Sequence, residues 1–188
     1  MDAHLVGSPR ATALPTHEGY RGYQPAIVSW AQGGLVLADE LRDGNVGAQT
    51  GLRELVDEAF ATLPSGRAWE VDVRSDSAAY QGQLPDHWHA RGWRFAVSAD
   101  MGQQLRAEVV ALPPDAWAEL AVEADGSVRE WAEVPYAPGR GYEHRDAQPY
   151  RYLAVRVRPP QGILFGDGDR VKHFAVVTND WDAPRVAT

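Results

Sequence analysis

The sequence contains no cysteine and only one lysine, Lys172. The absence of cysteine excludes disulfide bonds and thiolate metal sites, and it is typical of a reducing compartment. No run approaches the roughly 18 apolar residues that a membrane helix needs, and the amino terminus lacks a basic segment followed by an apolar one. We therefore expect a soluble chain that stays in the cytoplasm.

The charge balance is unfavourable for a protein that binds nucleic acid by itself. The 188 residues carry a net charge of −8, whereas affinity for phosphates comes mainly from Lys and Arg. Nearly all of the positive charge is arginine, as is typical of a GC-rich genome. If the chain binds DNA, its contacts with the phosphates must come from local arginine clusters or from outside this sequence.

The first 112 residues have the pattern of a mixed sheet covered by helices. Before residue 25 only residues 3–6 hint at a strand, and the rest reads as loop. Beyond it we predict a strand at 25–30, a Gly33-Gly34 turn and a hairpin partner at 35–41. A helix at 49–63, capped by Thr50, and a strand ending at Asp76 follow. The last elements are a helix at 78–91, interrupted near Pro85 and stopped by Gly92, a strand at 93–100 and a helix at 101–111.

The pattern changes after the Pro113-Pro114 pair. Residues 115–122 are predicted to form a short helix, and three β segments follow at residues 128–134, 150–157 and 171–177. We therefore predict three regions: a partial core at residues 1–112, a β-rich insertion at 113–170, and a return strand of the core at 171–188.

Asp76 stands where a predicted strand should stop. Val71 and Val73 alternate with polar residues and project to one side of that strand, as a period of two requires. A carboxylate at the carboxyl end of a sheet strand is well placed to hold a divalent metal ion. The alternative is that Asp76 is only the N-cap of a helix that starts at Ser77 or Ala78.

Seven short motifs follow one another in order along nearly the whole chain. They are EGYRGYQP (18–25), RDGNV (42–46), RSDSA (74–78), SADM (98–101), WAEVPY (131–136), YRYLA (150–154) and FAVVTN (174–179). The series resembles the DDE transposases of bacterial insertion elements, in the branch with a β insertion between the second and third acidic residues. The resemblance implies the α/β class, with a ribonuclease-H-like fold and an all-β insertion.

In that family two Asp and one Glu hold two divalent ions, Mg²⁺ or Mn²⁺. The resemblance implies that Asp2, in MDAHLV, is the first ligand and Asp76 the second. Two such ions can activate the attacking water or hydroxyl and stabilise the leaving oxygen of an in-line displacement. The third ligand should be a Glu beyond Asn179, and the sequence ends at Thr188 without one. We therefore expect a truncated, inactive piece of the catalytic domain.

Other acidic and turn residues have simpler interpretations. Asp72 is expected to be a solvated or Arg-paired strand residue, and Asp100 a turn or cap residue. The Asp43-Gly44-Asn45 turn indicates positive φ at Gly44 or Asn45. Contact between this loop and DNA is the alternative.

Histidine, tryptophan and arginine also form local patterns. His87 and His89 are two apart, so they would point to different faces of a helix and are poor candidates for a shared zinc ion. Five tryptophans are expected to pack in the core or between elements rather than stack on bases: Trp69, Trp88, Trp93, Trp117 and Trp131. Three arginines on one predicted strand are candidates for contact with DNA phosphates, the alternative being a solvated face: Arg151, Arg156 and Arg158.

The function that the sequence predicts is DNA transposition by metal-dependent cleavage and strand transfer. DNA, as element ends and target, would be the partner of the complete protein, which should oligomerise and associate with the nucleoid when active. Three alternatives stay open at this point. They are a non-catalytic remnant of an insertion element, an unrelated metal-dependent nuclease that uses Asp72 and Asp76, and a carbohydrate-binding β module.

Overall fold

A computed structural model describes residues 2–3, 5–81, 84–138, 150–160 and 171–182, with the backbone alone at residues 2, 3 and 81. The chain divides into two compact units, Met1–Trp93 and Arg94–Thr188. None of the helices in the described part of the chain is long and apolar enough to span a bilayer.

The first unit contains seven strands and three helices in its described residues. In chain order they are β1 (Asp2–Ala3), β2 (Val6–Gly7), β3 (Leu14–Pro15), β4 (Arg21–Tyr23), β5 (Ala26–Trp30), β6 (Leu35–Glu40), α1 (Leu52–Ala61), β7 (Asp72–Ser75), α2 (Ser77–Gln81) and α3 (Leu84–Ala90).

The predicted hairpin is confirmed in the strands β5 and β6. They pair antiparallel, and β1 adds to the other side of β5 to give the order β1-β5-β6. Gly34 adopts a φ of 62° in the connecting turn, a conformation that glycine reaches without steric cost. Helix α1 packs on this hairpin and buries one face, formed by Leu52, Leu55, Val56 and Ala59.

The cap of α1 differs from the prediction. The N-cap is Gly51, with a φ of 71° and no side-chain cap, so the assignment of Thr50 as the cap is wrong. The Thr50 carbonyl instead accepts a hydrogen bond of 2.6 Å from Arg42. A long-range contact of this kind leaves no signal in the local sequence.

The stretch before residue 25 is more ordered than the predicted loop. Strands β2, β4 and β3 form a small antiparallel sheet, in which Gly22 pairs with both Gly7 and Leu14. Gly22 also accepts a hydrogen bond of 3.0 Å from the Gly44 amide. Strands of two or three residues are too short to show a period in the sequence, which is why the prediction missed them.

Gly44 is required for space, not for an unusual backbone angle. It is not among the glycines with positive φ, so the predicted positive φ does not occur at this residue. A Cβ atom at Gly44 would lie 2.6 Å from the Gly22 carbonyl oxygen and 2.6 Å from Thr16 Cγ2. The RDGNV loop therefore packs closely against β4.

Two short helices follow β7, as the interrupted helix at 78–91 predicted. Helix α3 begins at Leu84 with Pro85 in its first turn, where the missing amide hydrogen costs nothing. Gly92, with a φ of 73°, follows the end of α3. Trp88 is completely buried, so it does not belong to an exposed aromatic row of the kind that a carbohydrate-binding module needs.

A polar cluster of Asp57, His87 and Arg91 connects α1 with α3 and the residue after it. The Asp57 carboxylate accepts a hydrogen bond from Arg91 and lies 3.0 Å from His87 Nε2. The Arg91 guanidinium stacks over the Phe60 and Trp93 rings, 5.4 and 4.3 Å from their centroids. His87 is therefore engaged in helix packing.

The second unit is built on antiparallel strands. Its described elements are β8 (Arg94–Ser98), α4 (Gln103–Ala111), a 3-10 helix (Pro114–Ala116), β9 (Ala118–Val122), β10 (Val128–Val134), β11 (Arg151–Arg158) and β12 (Lys172–Thr178). The strand order is β8-β12-β11-β10-β9. Ala132, Ala154 and Ala175 form one row across three of these strands, and all three are buried.

The helix predicted at residues 115–122 is wrong. The 3-10 turn ends at Ala116, and β9 then pairs antiparallel with β10. The register shifts between Arg129 and Glu130, which marks a β-bulge. Pairing with a strand further along the chain decides the conformation here, and short segments of this kind are the least determined by their own sequence.

The predicted fold class is confirmed. Helices and strands alternate from α1 to α4, and the described elements after the 3-10 helix are all strands, in agreement with a ribonuclease-H-like α/β fold that carries additional strands. The predicted division at residues 112 and 170 stays a prediction. The two compact units divide the chain at a different point, after Trp93.

We predict that Gly44→Ala lowers the free energy of unfolding by about 2 kcal/mol, because the new Cβ overlaps backbone that has no room to move. Chemical denaturation monitored by circular dichroism measures this change. Gly102→Ala is the matched control, since a Cβ there meets nothing within 4 Å. Equal effects of the two substitutions would contradict the role assigned to Gly44.

Candidate metal-binding site

Asp76 lies between the last residue of β7 and the first residue of α2. Its Oδ1 accepts a hydrogen bond of 3.1 Å from the Ala78 amide and one of 3.3 Å from the Ser75 hydroxyl. The N-cap interpretation is therefore confirmed. Both hydrogen bonds go to Oδ1, so the cap does not use Oδ2, and a half-buried carboxylate is fixed at the end of a strand.

Asp2 lies in β1, where its backbone pairs with Ile27 of β5. On the other side Ile27 pairs with Asp39 of β6. The Asp2 side chain lies outside the described residues. The assignment of Asp2 as the first metal ligand stays a prediction.

The described residues do not provide a complete metal site. None of them belongs to a group of three or more His, Asp or Glu side chains that could hold an ion. Asp76 fits the role of one ligand, because hard divalent cations prefer carboxylate oxygen and Oδ2 is outside the cap. A complete site would need at least one ligand from outside the described side chains.

Asp72 does not converge with Asp76. The two residues stand at opposite ends of β7, and four residues of extended strand span about 13 Å. Asp72 is exposed. At this spacing the two carboxylates cannot bind one ion together, so the structure does not support a nuclease that uses Asp72 and Asp76.

Arg42 is a buried charged residue whose burial the sequence did not predict. It is 5% exposed, and its guanidinium donates hydrogen bonds to the Gln24, Ala48 and Thr50 carbonyls at 3.0, 3.1 and 2.6 Å. Burial lowers the pKa of Arg42, and the negative charges of Glu40 and Asp76 oppose this shift only in part. The RDGNV motif contains this arginine, but nothing in the motif shows that it is buried.

The three predicted DNA-binding arginines are all engaged by glutamates. Arg151 binds Glu133 through Nε and Nη2, at 3.0 and 2.9 Å. Arg156 and Arg158 both donate to Glu130 Oε2 at 2.6 Å. The side chains of Arg151, Arg156 and Arg158 are 9%, 20% and 47% exposed, so Arg158 presents the most surface.

His173 extends this polar row across the sheet. Glu130 pairs in register with Arg156, and Arg156 pairs with His173. Trp117 covers the row, with its ring 4.2 Å from the Arg156 guanidinium and 6.0 Å from the His173 ring. Burial lowers the pKa of His173, and the positive charges of Arg156 and Arg106 lower it further.

Comparison with known protein families identifies the family of the chain. The family model described as "Transposase DDE domain" matches residues 1–179 of the 188-residue chain. The chain therefore belongs to the family of DDE transposases. No curated protein matches the sequence.

Substitutions at Asp76 should separate its two roles. We predict that Asp76→Ala destabilises the protein by about 1 kcal/mol, because the first turn of α2 loses its cap. Asp76→Asn should retain most of that stability, since an amide oxygen also accepts the Ala78 hydrogen bond. Denaturant unfolding compares the two variants. If Asn is as destabilising as Ala, the cap is not what Asp76 contributes to stability.

Acidification should destabilise the second unit through His173. Its pKa is lower in the folded protein than the ordinary value of 6.5, so the unfolded chain binds the proton more readily. Stability should therefore fall as the pH drops below about 6.5, and His173→Gln should flatten that slope. Thermal unfolding between pH 5 and 8 tests this, and an unchanged slope in the variant would contradict it.

Proposed function

We propose that the chain supplies part of the catalytic site for DNA transposition, in which DNA is cleaved at element ends and joined to a target. Membership of the DDE transposase family supports the reaction class. One observation supports the site: the Asp76 carboxylate is fixed at the end of β7 by the first turn of α2. The cap sets the direction of Oδ2 before any ligand binds, which limits the reorganisation that binding requires.

Asp2 and Asp76 are proposed as two ligands of divalent ions, Mg²⁺ or Mn²⁺, and a Glu from outside the described residues as the third. When bound, such ions activate the attacking hydroxyl and stabilise the leaving oxygen of an in-line displacement. Asp76 would bind its ion through Oδ2. The chain alone is proposed to be inactive, because its described residues contain no three-ligand group.

DNA phosphates are proposed to contact the β10–β11 face at Arg158. Glu130 accepts hydrogen bonds from both Arg156 and Arg158, so these three side chains carry a net charge of about +1. Arg158 is the most exposed of the three predicted arginines and is able to exchange part of its pairing with Glu130 for a phosphate. Arg151 and Arg156 would support this face through their own glutamate pairs.

The chain as a whole has a net charge of −8, so this patch can supply only a small part of the affinity for DNA. Further contacts would come from other copies or segments of the complete protein, which we propose to be oligomeric and associated with the nucleoid. A non-catalytic remnant has the same fold, and the metal affinity of Asp76 distinguishes the two possibilities.

We predict that the purified chain binds Mn²⁺ and that Asp76→Asn weakens this binding at least about tenfold, because it removes a charged oxygen ligand while keeping the cap. Electron paramagnetic resonance of free Mn²⁺ measures the affinity. No nicking of supercoiled DNA is expected from the chain alone in Mg²⁺ or Mn²⁺.

Asp100→Asn is the control for that titration. Asp100 is exposed and also follows a strand, β8, so its loss removes the same charge from an equivalent place. Equal affinities for the wild-type chain and Asp76→Asn would contradict the proposed ligand. DNA nicking that Asp76→Asn abolishes would contradict the proposed inactivity.

We predict that Arg158→Ala weakens binding of duplex DNA and reduces the slope of log affinity against log salt by about 1, because one phosphate contact is lost. Fluorescence anisotropy at several salt concentrations gives the slope. Arg129→Ala is the matched control, since Arg129 is 39% exposed but belongs to the opposite face of β10 and pairs with Glu123. Identical slopes for the two variants would exclude Arg158 as a phosphate contact.

A further inference from the structure

Glu130 is a buried carboxylate that two arginines share. It accepts a hydrogen bond of 2.6 Å from Arg156 Nε at Oε2, and Arg158 donates to both of its oxygens, from Nε to Oε2 at 2.6 Å and from Nη2 to Oε1 at 3.0 Å. Its side chain is 9% exposed. The hydrogen bond from Arg156 and the one from Arg158 lower the pKa of Glu130, although burial alone would raise it, so the carboxylate is ionised at neutral pH.

The two arginines differ in how far they can reach a ligand in solvent. The Arg156 guanidinium lies 4.2 Å from the centroid of the Trp117 ring, and its side chain is 20% exposed. Arg158 follows two residues later on the same face of β11, and its side chain is 47% exposed. Trp117 and Arg156 therefore hold Glu130 in place, while Arg158 is bound to Glu130 on one side and faces solvent on the other.

A carboxylate and a phosphate bind a guanidinium in the same way, through two parallel hydrogen bonds. In the free chain Glu130 already occupies Nε and Nη2 of Arg158. We propose that Glu130 is an intramolecular competitor of DNA phosphates: a positioning residue that holds the Arg158 guanidinium in the free chain and thereby weakens DNA binding at this face. This inference rests on the proposed contact of Arg158 with DNA phosphates, and it adds a group within the chain that limits the strength of that contact.

The test compares two glutamates that each pair with an arginine. Glu130→Gln removes the competing charge, so it should tighten binding of duplex DNA about tenfold and steepen the slope of log affinity against log salt by about 1. Glu123→Gln removes the same charge and releases Arg129, which is 39% exposed on the opposite face of β10. It should bind DNA within about twofold of the wild-type chain. Equal tightening by both variants would be an effect of net charge and would overturn the proposal.

The double variant Glu130→Gln, Arg158→Ala separates this inference from the proposed function. If Glu130 competes for Arg158, the double variant loses the tightening that Glu130→Gln produces, and a double variant that keeps it would overturn the proposal. If Arg158→Ala weakens DNA binding but Glu130→Gln does not tighten it, the competition is overturned and the phosphate contact of Arg158 stands. If neither substitution changes the affinity, the phosphate contact fails and the competition fails with it.

If Glu130→Gln does not fold, nuclear magnetic resonance of the wild-type chain provides the answer. On titration with duplex DNA, the Arg158 Nε and Glu130 carboxyl-carbon resonances should shift with one common midpoint, because the guanidinium leaves the carboxylate as it binds the phosphate. A structural ion pair would not respond in this way. If DNA binds and the Arg158 resonance alone shifts, the competition is overturned and the phosphate contact stands. If DNA binds and neither resonance shifts, both are overturned.

Discussion

The hydrogen bond from the Ala78 amide to Asp76 Oδ1 fixes the carboxylate on which the metal assignment depends. This hydrogen bond lies at the junction of β7 and α2 and does not involve Oδ2. It therefore stabilises the start of α2 and also orients the carboxylate of the candidate site. An N-cap aspartate is an ordinary structural feature. What distinguishes this one is its place at a strand end in a chain of the DDE transposase family.

The position of Arg42 depends in turn on close backbone packing in the first unit. The RDGNV loop lies against β4 because Gly44 has no side chain, and a Cβ at Gly44 would be 2.6 Å from the Gly22 carbonyl oxygen. Because this loop packs closely on β4, Arg42 lies next to the segment that precedes α1. The Ala48 and Thr50 carbonyls of that segment accept its hydrogen bonds. Close packing at Gly44 thereby helps to hold Arg42 against the loop that precedes α1.

The sequence alone was sufficient for the features that depend on local pattern. The β5–β6 hairpin, helix α1, the strand that stops before Asp76 and the end of α3 at Gly92 follow from alternation, helical spacing and turn residues. Features that depend on distant contacts were missed. Examples are β9, which exists because it pairs with β10, and the burial of Arg42, whose partners are carbonyls up to 18 residues away. The role of Asp2 came from family resemblance, and the described residues leave it a prediction.

Nuclear magnetic resonance of the ¹⁵N-labelled chain, with Mn²⁺ added well below stoichiometry, tests the central claim most directly. Paramagnetic broadening falls off steeply with distance, so it reports which amides lie beside the ion. The account predicts that the amides of Ser77 and Ala78, next to the Asp76 carboxylate, broaden first, and that Asp76→Asn removes this selectivity. Broadening spread over exposed acidic residues, with no preference for the start of α2, would contradict it.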